Sequence, residues 1–178
     1  MHKTHNKYVV NTALVLTLII ILYGQFVLGH FSDCFYLEEG PNALGLTLGY
    51  GLEEVMSFID LRTNLQLLCY IDFISVWDNI FPIIYGATHI LFFMYFFERW
   101  RYVIAIPILH MAADWIENWA EIGMIESYLD TTLIADELIT LGSTMTIIKW
   151  SLSMITYGLI IYALIRATRG VWMKTQLL

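Results

Sequence analysis

Two long apolar stretches without a charged side chain constrain this chain more than any other feature. Tyr8 to Ser32 runs for 25 residues and Asn79 to Phe97 for 19. A helix needs about 20 apolar residues to cross a bilayer, so both stretches have the length of a span. Charged residues make up 14% of the chain, against about 25% in soluble proteins. The sequence therefore predicts a membrane protein.

Two further stretches reach the length of a span although polar residues interrupt them. We therefore predict an all-α membrane protein, built as a four-transmembrane-helix bundle in a single membrane domain over residues 1–178. The predicted spans are TM1 at about residues 8–29, TM2 at about 79–97, TM3 at about 102–125 and TM4 at about 140–165.

The first span has an alternative interpretation as a cleaved signal peptide. Val27-Leu28-Gly29 could serve as a cleavage site, which would start the mature chain at His30. The apolar run is longer than the roughly 7–15 residues usual for a signal peptide, so a retained span is favoured.

The segment between TM1 and TM2, residues 30–77, is acidic and carries Arg62 as its only lysine or arginine. From Gly51 to Tyr70, apolar residues recur at helical spacing. One or two amphipathic helices are therefore expected, lying on the bilayer surface or capping the bundle. The apolar positions are Val55, Phe58, Ile59, Leu61, Leu65 and Leu68.

The two cysteines, Cys34 and Cys69, both lie in this segment. In an oxidising compartment they could form a disulfide closing a loop of about 35 residues. The alternative is that Cys69 is simply buried in an apolar helix.

Basic residues predict the orientation of the bundle. Seven of the nine lysines and arginines fall on one side of a four-span arrangement: Lys3, Lys7, Arg99, Arg101, Arg166, Arg169 and Lys174. The positive-inside rule makes that side cytoplasmic, so both termini are expected inside, in a multi-pass protein of the bacterial inner membrane. Trp100 and Trp172 would lie near the inner boundary, and Trp77 and Trp119 near the outer one. No basic patch suggests a nucleic acid partner.

The helix ends carry local signals. Asp78 or Asn79 is the expected N-cap of TM2, with Pro82 in its first turn. Pro107 is expected to kink TM3. Residues Glu126 to Glu137 are expected to form an acidic loop.

A polar stripe crosses the third span. His110, Asp114, Glu117, Asn118 and Glu121 are spaced by three and four residues, so one helix face carries all of them. Such a stripe is unfavourable in lipid and should face protein or water. A second stripe on the fourth span holds Thr146, Lys149, Ser153 and Thr156 or Tyr157, and the two stripes are expected to face each other.

Counting about 1.5 Å per residue places five of these polar side chains at one depth in the outer half of the bundle. They are Tyr85, Asp114, Glu117, Asn118 and Lys149, with Asp78 at the outer rim. We interpret them as ligand- or proton-binding candidates, with Lys149 neutralising the carboxylates. Intramembrane polar pairs that only hold helices together are the alternative. For Asp78 a capping role is an equal alternative, and Glu121 is expected to be solvated.

A metal site is a second, less favoured hypothesis. His89 and His110 reach similar depths, and Asp114 lies four residues after His110. Buried neutral histidines are the commoner outcome.

Three motifs follow one another along the chain: Asp78-Asn79-Ile80-Phe81-Pro82-Ile83-Ile84-Tyr85-Gly86, Ala113-Asp114-Trp115-Ile116-Glu117-Asn118 and Lys149-Trp150. Together they resemble a family of small bacterial four-span membrane proteins, over about Tyr50 to Arg166. The chain departs from that family before the second span, where Arg62 is the only candidate for its arginine-containing segment. The resemblance implies the architecture and the same polar cluster, and it gives no information about a reaction or a cofactor.

The predicted function is a site in the outer half of the bundle that binds a lipid-like or small polar ligand, or a proton or cation. The alternative is a non-catalytic membrane subunit or assembly protein whose polar cluster fixes helix packing. Its partner would be another membrane protein or a second copy of the chain. Whether the protein is an enzyme stays open at this point.

Overall fold

The computed structural model describes residues 2–38, 42–97 and 100–175, without the side chains of 2–10, 13 and 167–175. These ranges are helical, with no strand among them. Lys3, Lys7, Arg99, Arg169, Trp172 and Lys174, which entered the orientation argument, lie outside the described residues or side chains. The α-helices are α1 His2–Leu22, α2 Gly29–Ser32, α3 Leu52–Asp60, α4 Asn64–Asp72, α5 Asn79–Phe96, α6 Ala105–Thr131 and α7 Asp136–Thr175.

Three of the helical stretches are long and apolar enough to cross a membrane: Leu14–Ser32, Asn64–Phe96 and Asp136–Arg166. This supports the expected membrane protein. The predicted third span, residues 102–125, lies within α6 and the 3-10 turn Arg101–Ile104 before it, and it does not reach the same hydropathy. The polar stripe on α6 explains this, because its carboxylates and amide lower the average.

The second long helix begins earlier than predicted. Thr63 starts it by accepting a hydrogen bond from the Gln66 amide at 3.3 Å, while the Gln66 side chain accepts one from the Thr63 amide at 3.0 Å. This reciprocal pair is a capping box. The helix then continues through a π-helical segment, Phe73–Asp78, into α5. The segment between the first two long helices therefore ends at residue 63, whereas the sequence analysis extended it to residue 77.

Two predictions about this helix were wrong as a result. Asp78 has helical dihedral angles and makes no capping hydrogen bond. Pro82 lies inside α5 rather than in a first turn. A π-helical segment, whose turns are wider, directly precedes α5. Proline has no amide proton, and the hydrogen bond that Pro82 cannot donate would have been made to this segment.

The boundaries of α6 also correct the sequence analysis. Pro107 is the third residue of α6 and lies in its first turn, not inside the helix as predicted, so the amide proton that it lacks has no partner within α6. The helix continues to Thr131 and ends at Thr132, whose φ of 61° is left-handed. The acidic residues 126–131 are thus helical, and only residues 132–135 connect α6 to α7. With so short a connection, α6 and α7 pack along each other as an antiparallel pair.

The segment between the first and second long helices, residues 33–63 with 39–41 not described, covers one end of the bundle, and we call it the cap. Its helix α3 buries Val55, Phe58 and Ile59 as predicted, whereas Leu61, Leu65 and Leu68 are exposed because the chain turns at residues 61–63. The cap core unites cap residues with the neighbouring ends of α4, α6 and α7: Phe35, Leu44, Tyr50, Val55, Phe58, Ile59, Leu67, Tyr70, Ile74, Met124, Ile125 and Ile139.

Two further links hold the cap in place. Cys34 and Cys69 form a disulfide, with their Cα atoms 6.4 Å apart. Arg62 donates to the carbonyls of Phe35 at 3.1 Å and Phe58 at 2.9 Å, and its guanidinium lies 3.8 Å from the Phe58 ring centre. Burial lowers the pKa of Arg62 below its ordinary value.

The opposite end of the bundle has a smaller core of Phe93, Phe97, Val103 and Ala163. The first helix is held less tightly. It packs mainly on α5, where the Tyr23 and Phe81 rings stack at 6.1 Å, and within the described residues it makes hardly any contact with α7.

Candidate functional site

The site centres on Lys149 of α7, which forms ion pairs with two carboxylates of α6. Its Nζ lies 3.4 Å from Asp114 Oδ1 and is also paired with Glu117 Oε2. Asp114 and Glu117 are three residues apart on one helix face, which lets one ammonium reach both. The two predicted stripes therefore face each other, as the sequence indicated.

The second long helix completes this arrangement. The Tyr85 hydroxyl donates to Asp114 Oδ2 at 2.8 Å, and the Asn118 amide donates to Asn79 Oδ1 at 3.3 Å. Asp78, just before Asn79, interacts with the Asn118 side chain. All six predicted site residues are thus neighbours. We call Asp78, Tyr85, Asp114, Glu117, Asn118 and Lys149 the polar layer.

Thr146 supports the Glu117 carboxylate. Its hydroxyl donates to Glu117 Oε1 and lies within reach of the Gly142 carbonyl one turn earlier. Thr146, Ser153 and Thr156 of the predicted α7 stripe are buried, whereas Tyr157 is largely exposed. The stripe therefore points inward over most of its length.

The backbone of the cap also takes part, which the sequence analysis missed. The Gly45 carbonyl accepts hydrogen bonds from Lys149 Nζ at 3.1 Å and from Trp150 Nε1 at 3.2 Å. A Cβ atom at position 45 would lie only 2.9 Å from Glu117 Oε1, so glycine allows this close approach. Because Gly45 acts through its backbone, its residue type gave no signal of the contact.

Glu121 corrects a second expectation. It was predicted to be solvated, but it is 2% exposed and accepts a hydrogen bond from the Tyr70 hydroxyl at 2.6 Å. The cap, whose extent the sequence could not define, covers this position. The neighbouring Tyr50 hydroxyl is buried too, and burial together with the charges of Glu121 and Glu117 raises the pKa of Tyr50.

The predicted metal set of His89, His110 and Asp114 is not assembled. Among the described residues, no three His, Cys, Asp or Glu side chains lie close enough to hold a metal ion. The Tyr85 ring packs against both imidazoles, with its centroid 5.8 Å from that of His89 and 4.6 Å from that of His110. The Tyr85 hydroxyl donates a hydrogen bond to the Asp114 carboxylate.

A cavity of about 460 Å³ lies beside the polar layer. Apolar side chains of the first helix, the cap and the second long helix form most of its wall, including Ile20, Leu28, Phe35, Leu46, Phe73, Ile74 and Phe81. Its polar wall is formed by Asp78, Tyr85, His89, His110, Asp114, Asn118, Glu121, Lys149 and Ser153. Cavities of this size and lining are typical of small-molecule sites.

The chain shows no match to a family model, to a curated protein or to a solved structure. Its function must therefore be inferred from the geometry of the polar layer and the cavity.

Proposed function

We propose that the protein binds a lipid-like amphiphile in this cavity, with the polar head at the polar layer and the chain along the apolar wall. The observation that carries this proposal is that one cavity is lined both by residues of the polar layer and by a larger apolar surface. A small polar ligand, a proton or a cation would need the polar layer but not the apolar wall, so an amphiphile accounts for more of the site.

The proposal includes a four-span bundle in which α6 is the third span. A helix of 27 residues is about 40 Å long, enough to cross the apolar core of a bilayer. Its carboxylates contact α7 and α5, while Ile108, Leu109, Trp115, Ile116 and Trp119 are exposed on other faces. An intramembrane helix with its polar residues facing inward is the arrangement that lipid favours.

The proposed orientation places the cap outside and both termini in the cytoplasm. Arg101 and Arg166 are exposed at the end opposite the cap, whereas Arg62 is buried within the cap. This distribution of basic side chains supports the positive-inside argument. The resemblance to small bacterial four-span proteins points to the same architecture, and we propose the bacterial inner membrane as its location.

The packing of the first helix suggests how a lipid-like ligand could reach the cavity. Ile20 of this helix and Trp150, Ser153 and Tyr157 of α7 line the cavity, yet the two helices hardly touch within the described residues. A gap between two spans faces the lipid, so an amphiphile can enter sideways without leaving the bilayer.

Photo-crosslinking with a matched pair of variants tests the proposal. A dodecyl alcohol with a photoreactive group on its chain should label the purified protein at residues that line the cavity, and mass spectrometry locates the label. Ser153→Trp fills the cavity and should abolish this labelling. Ser151→Trp adds the same side chain at an exposed position of α7 and should leave it unchanged. Equal labelling of both variants would refute the proposal.

A structural subunit is the second candidate, because Lys149, Asp114 and Glu117 already satisfy one another without a ligand. In that case the polar layer would fix helix packing and the exposed acidic residues 126–137 would bind a partner protein. It predicts no specific labelling of the cavity.

A further inference from the structure

We infer that the head group accepted at the polar layer is an amine, in its ammonium form, rather than an anion. This rests on the proposed function, because it specifies which amphiphile the cavity binds. Three observations carry it: the excess of acidic over basic groups around the cavity, the buried polar atoms that have no partner among the described residues, and the commitment of the Lys149 ammonium to groups of the protein.

The acidic and basic groups around the cavity are unequal in number. Asp78, Asp114 and Glu121 line it, and the only lysine or arginine among its described lining residues is Lys149. The carboxylates lie near enough to interact electrostatically, Asp78 with Asp114 and Glu121 with Asp78. An anionic head would bring like charges together in a site of low dielectric, which is strongly unfavourable.

Lys149 is not available to neutralise such an anion. Its Nζ is already paired with Asp114 and Glu117 and donates to the Gly45 carbonyl. An ammonium has three donors, and each of these donors has a partner. A phosphate or carboxylate would have to displace one of these partners, leaving a buried carboxylate without its counter-charge.

Three buried polar atoms beside the cavity have no hydrogen-bond partner in the part of the chain that the structure describes. Glu121 Oε1 is unpaired, although Glu121 Oε2 binds the Tyr70 hydroxyl. Nδ1 of His89 and Nδ1 of His110 are unpaired as well, and these three residues are each at most 6% exposed. A neutral imidazole accepts at Nδ1 when its proton is on Nε2. Buried polar groups are rarely left unsatisfied in a protein without a reason.

A ligand ammonium matches this arrangement. It is a donor only, so it satisfies carboxylate oxygens without adding an acceptor that would also need a partner. Placed between Asp78 and Glu121, it would supply the positive charge that the polar layer lacks. Its alkyl chain would then extend along Phe73, Ile74 and Phe81, which line the same cavity.

Competition among three probes with the same alkyl chain tests the inference. Dodecylamine, dodecanol and dodecanoic acid are added to the full chain in a non-ionic detergent, and each must displace the photoreactive dodecyl alcohol. Dodecylamine should compete at a concentration at least about tenfold lower than dodecanoic acid, because a charge-assisted hydrogen bond is strong. If dodecanoic acid competes as well as the amine, the inference is wrong while amphiphile binding stands. If the photoreactive alcohol never labels the cavity, the proposed function fails first.

Variants at the carboxylates show whether they produce this preference. Glu121→Gln keeps an acceptor for Tyr70 but removes the ionisable carboxyl group that would pair with an ammonium, so the advantage of dodecylamine should fall by about tenfold while dodecanol competes as before. Asp78→Asn, in the half-buried π-helical segment, should have the same effect and serves if Glu121→Gln does not fold. Glu126→Gln is the control, because Glu126 is an exposed carboxylate of the same helix. An unchanged amine preference in both Glu121→Gln and Asp78→Asn would overturn the inference.

Discussion

The cap core and the polar layer are both buried against α6, but they are held together by different forces. The cap core consists of apolar side chains such as Leu44, Phe58 and Leu67, which are fully buried. The polar layer consists of charges, with one ammonium between the carboxylates of Asp114 and Glu117. One region is stabilised by removing apolar surface from water, the other by matching charges.

Because of this difference, the cap core contributes mainly to stability, and the polar layer contributes mainly to specificity. Each fully buried apolar side chain in the cap contributes about 1.5–3 kcal/mol independently of most others. A buried ion pair adds little net stability, but removing one member is costly because the other keeps its charge. Substituting one residue therefore weakens the cap core without disrupting it. Removing one charge from the polar layer leaves another buried charge uncompensated. A complete set of charges that partly faces a cavity is what the proposed binding site requires.

The largest expected effect comes from breaking the polar layer. Lys149→Met leaves Asp114 and Glu117 buried without a counter-charge and should lower the free energy of unfolding by about 3–5 kcal/mol. Unfolding of the purified protein in mixed micelles measures this loss. Ile147→Met, at an exposed position of α7, is the matched control and should have little effect.

The double variant Lys149→Met/Glu117→Gln sharpens the result. Removing one charge of each sign should recover part of the lost stability, since fewer uncompensated charges remain. If the protein is a binding protein, the double variant should fold but fail to bind the photoreactive alcohol. Recovery of both folding and every cellular activity would favour the structural subunit instead.

A slightly smaller effect is expected from the cap. Replacing both Cys34 and Cys69 by serine removes a cross-link between residues 35 positions apart, worth about 3–4 kcal/mol when it constrains the unfolded chain. The unfolding midpoint should fall, and a reducing agent should lower the midpoint of the parent protein but not that of the variant. A variant as stable as the parent would show that apolar packing alone holds the cap.

The smallest effect concerns the first turn of α3, outside the membrane-spanning helices. Glu54 Oε2 accepts a hydrogen bond from the Gly51 amide at 2.8 Å, and this bond lowers the pKa of Glu54 below its ordinary 4.5. A lowered pKa means that the stabilisation is complete above pH 4.5 and is lost as the pH falls through the lowered value. Glu54→Ala should therefore reduce the unfolding midpoint at neutral pH and match the parent protein in strong acid. Glu53→Ala, in the same turn, is the control and should lower the midpoint at neutral pH less than Glu54→Ala does.

Much of the fold could be predicted from the sequence because lipid imposes strong constraints. Long apolar runs revealed three membrane-length helices, and spacing of three and four residues brought Asp114 and Glu117 to one face. Lys149 could be assigned as their partner because an isolated charge in an apolar helix needs a counter-charge. These inferences depend on residue type and spacing alone.

The wrong predictions concern positions whose environment is determined by tertiary contacts. Asp78 looked like a cap because aspartate suits that position, but Thr63 and Gln66 had already started the helix. Glu121 looked solvated because its depth suggested the membrane edge, yet the cap extends over it. Gly45 gave no signal, because its contribution is a carbonyl that every residue has. Burial by a distant segment leaves no periodic pattern in the sequence.

The short connection between α6 and α7 has a consequence for synthesis of the chain. The ribosome makes Asp114 and Glu117 before Lys149, so a newly made α6 carries two carboxylates whose counter-charge does not yet exist. In a four-span bundle, α6 alone would be a poor candidate for transfer into lipid. Because residues 132–135 are its only link to α7, the pair can insert together as a helical hairpin, with Lys149 neutralising the stripe as it enters.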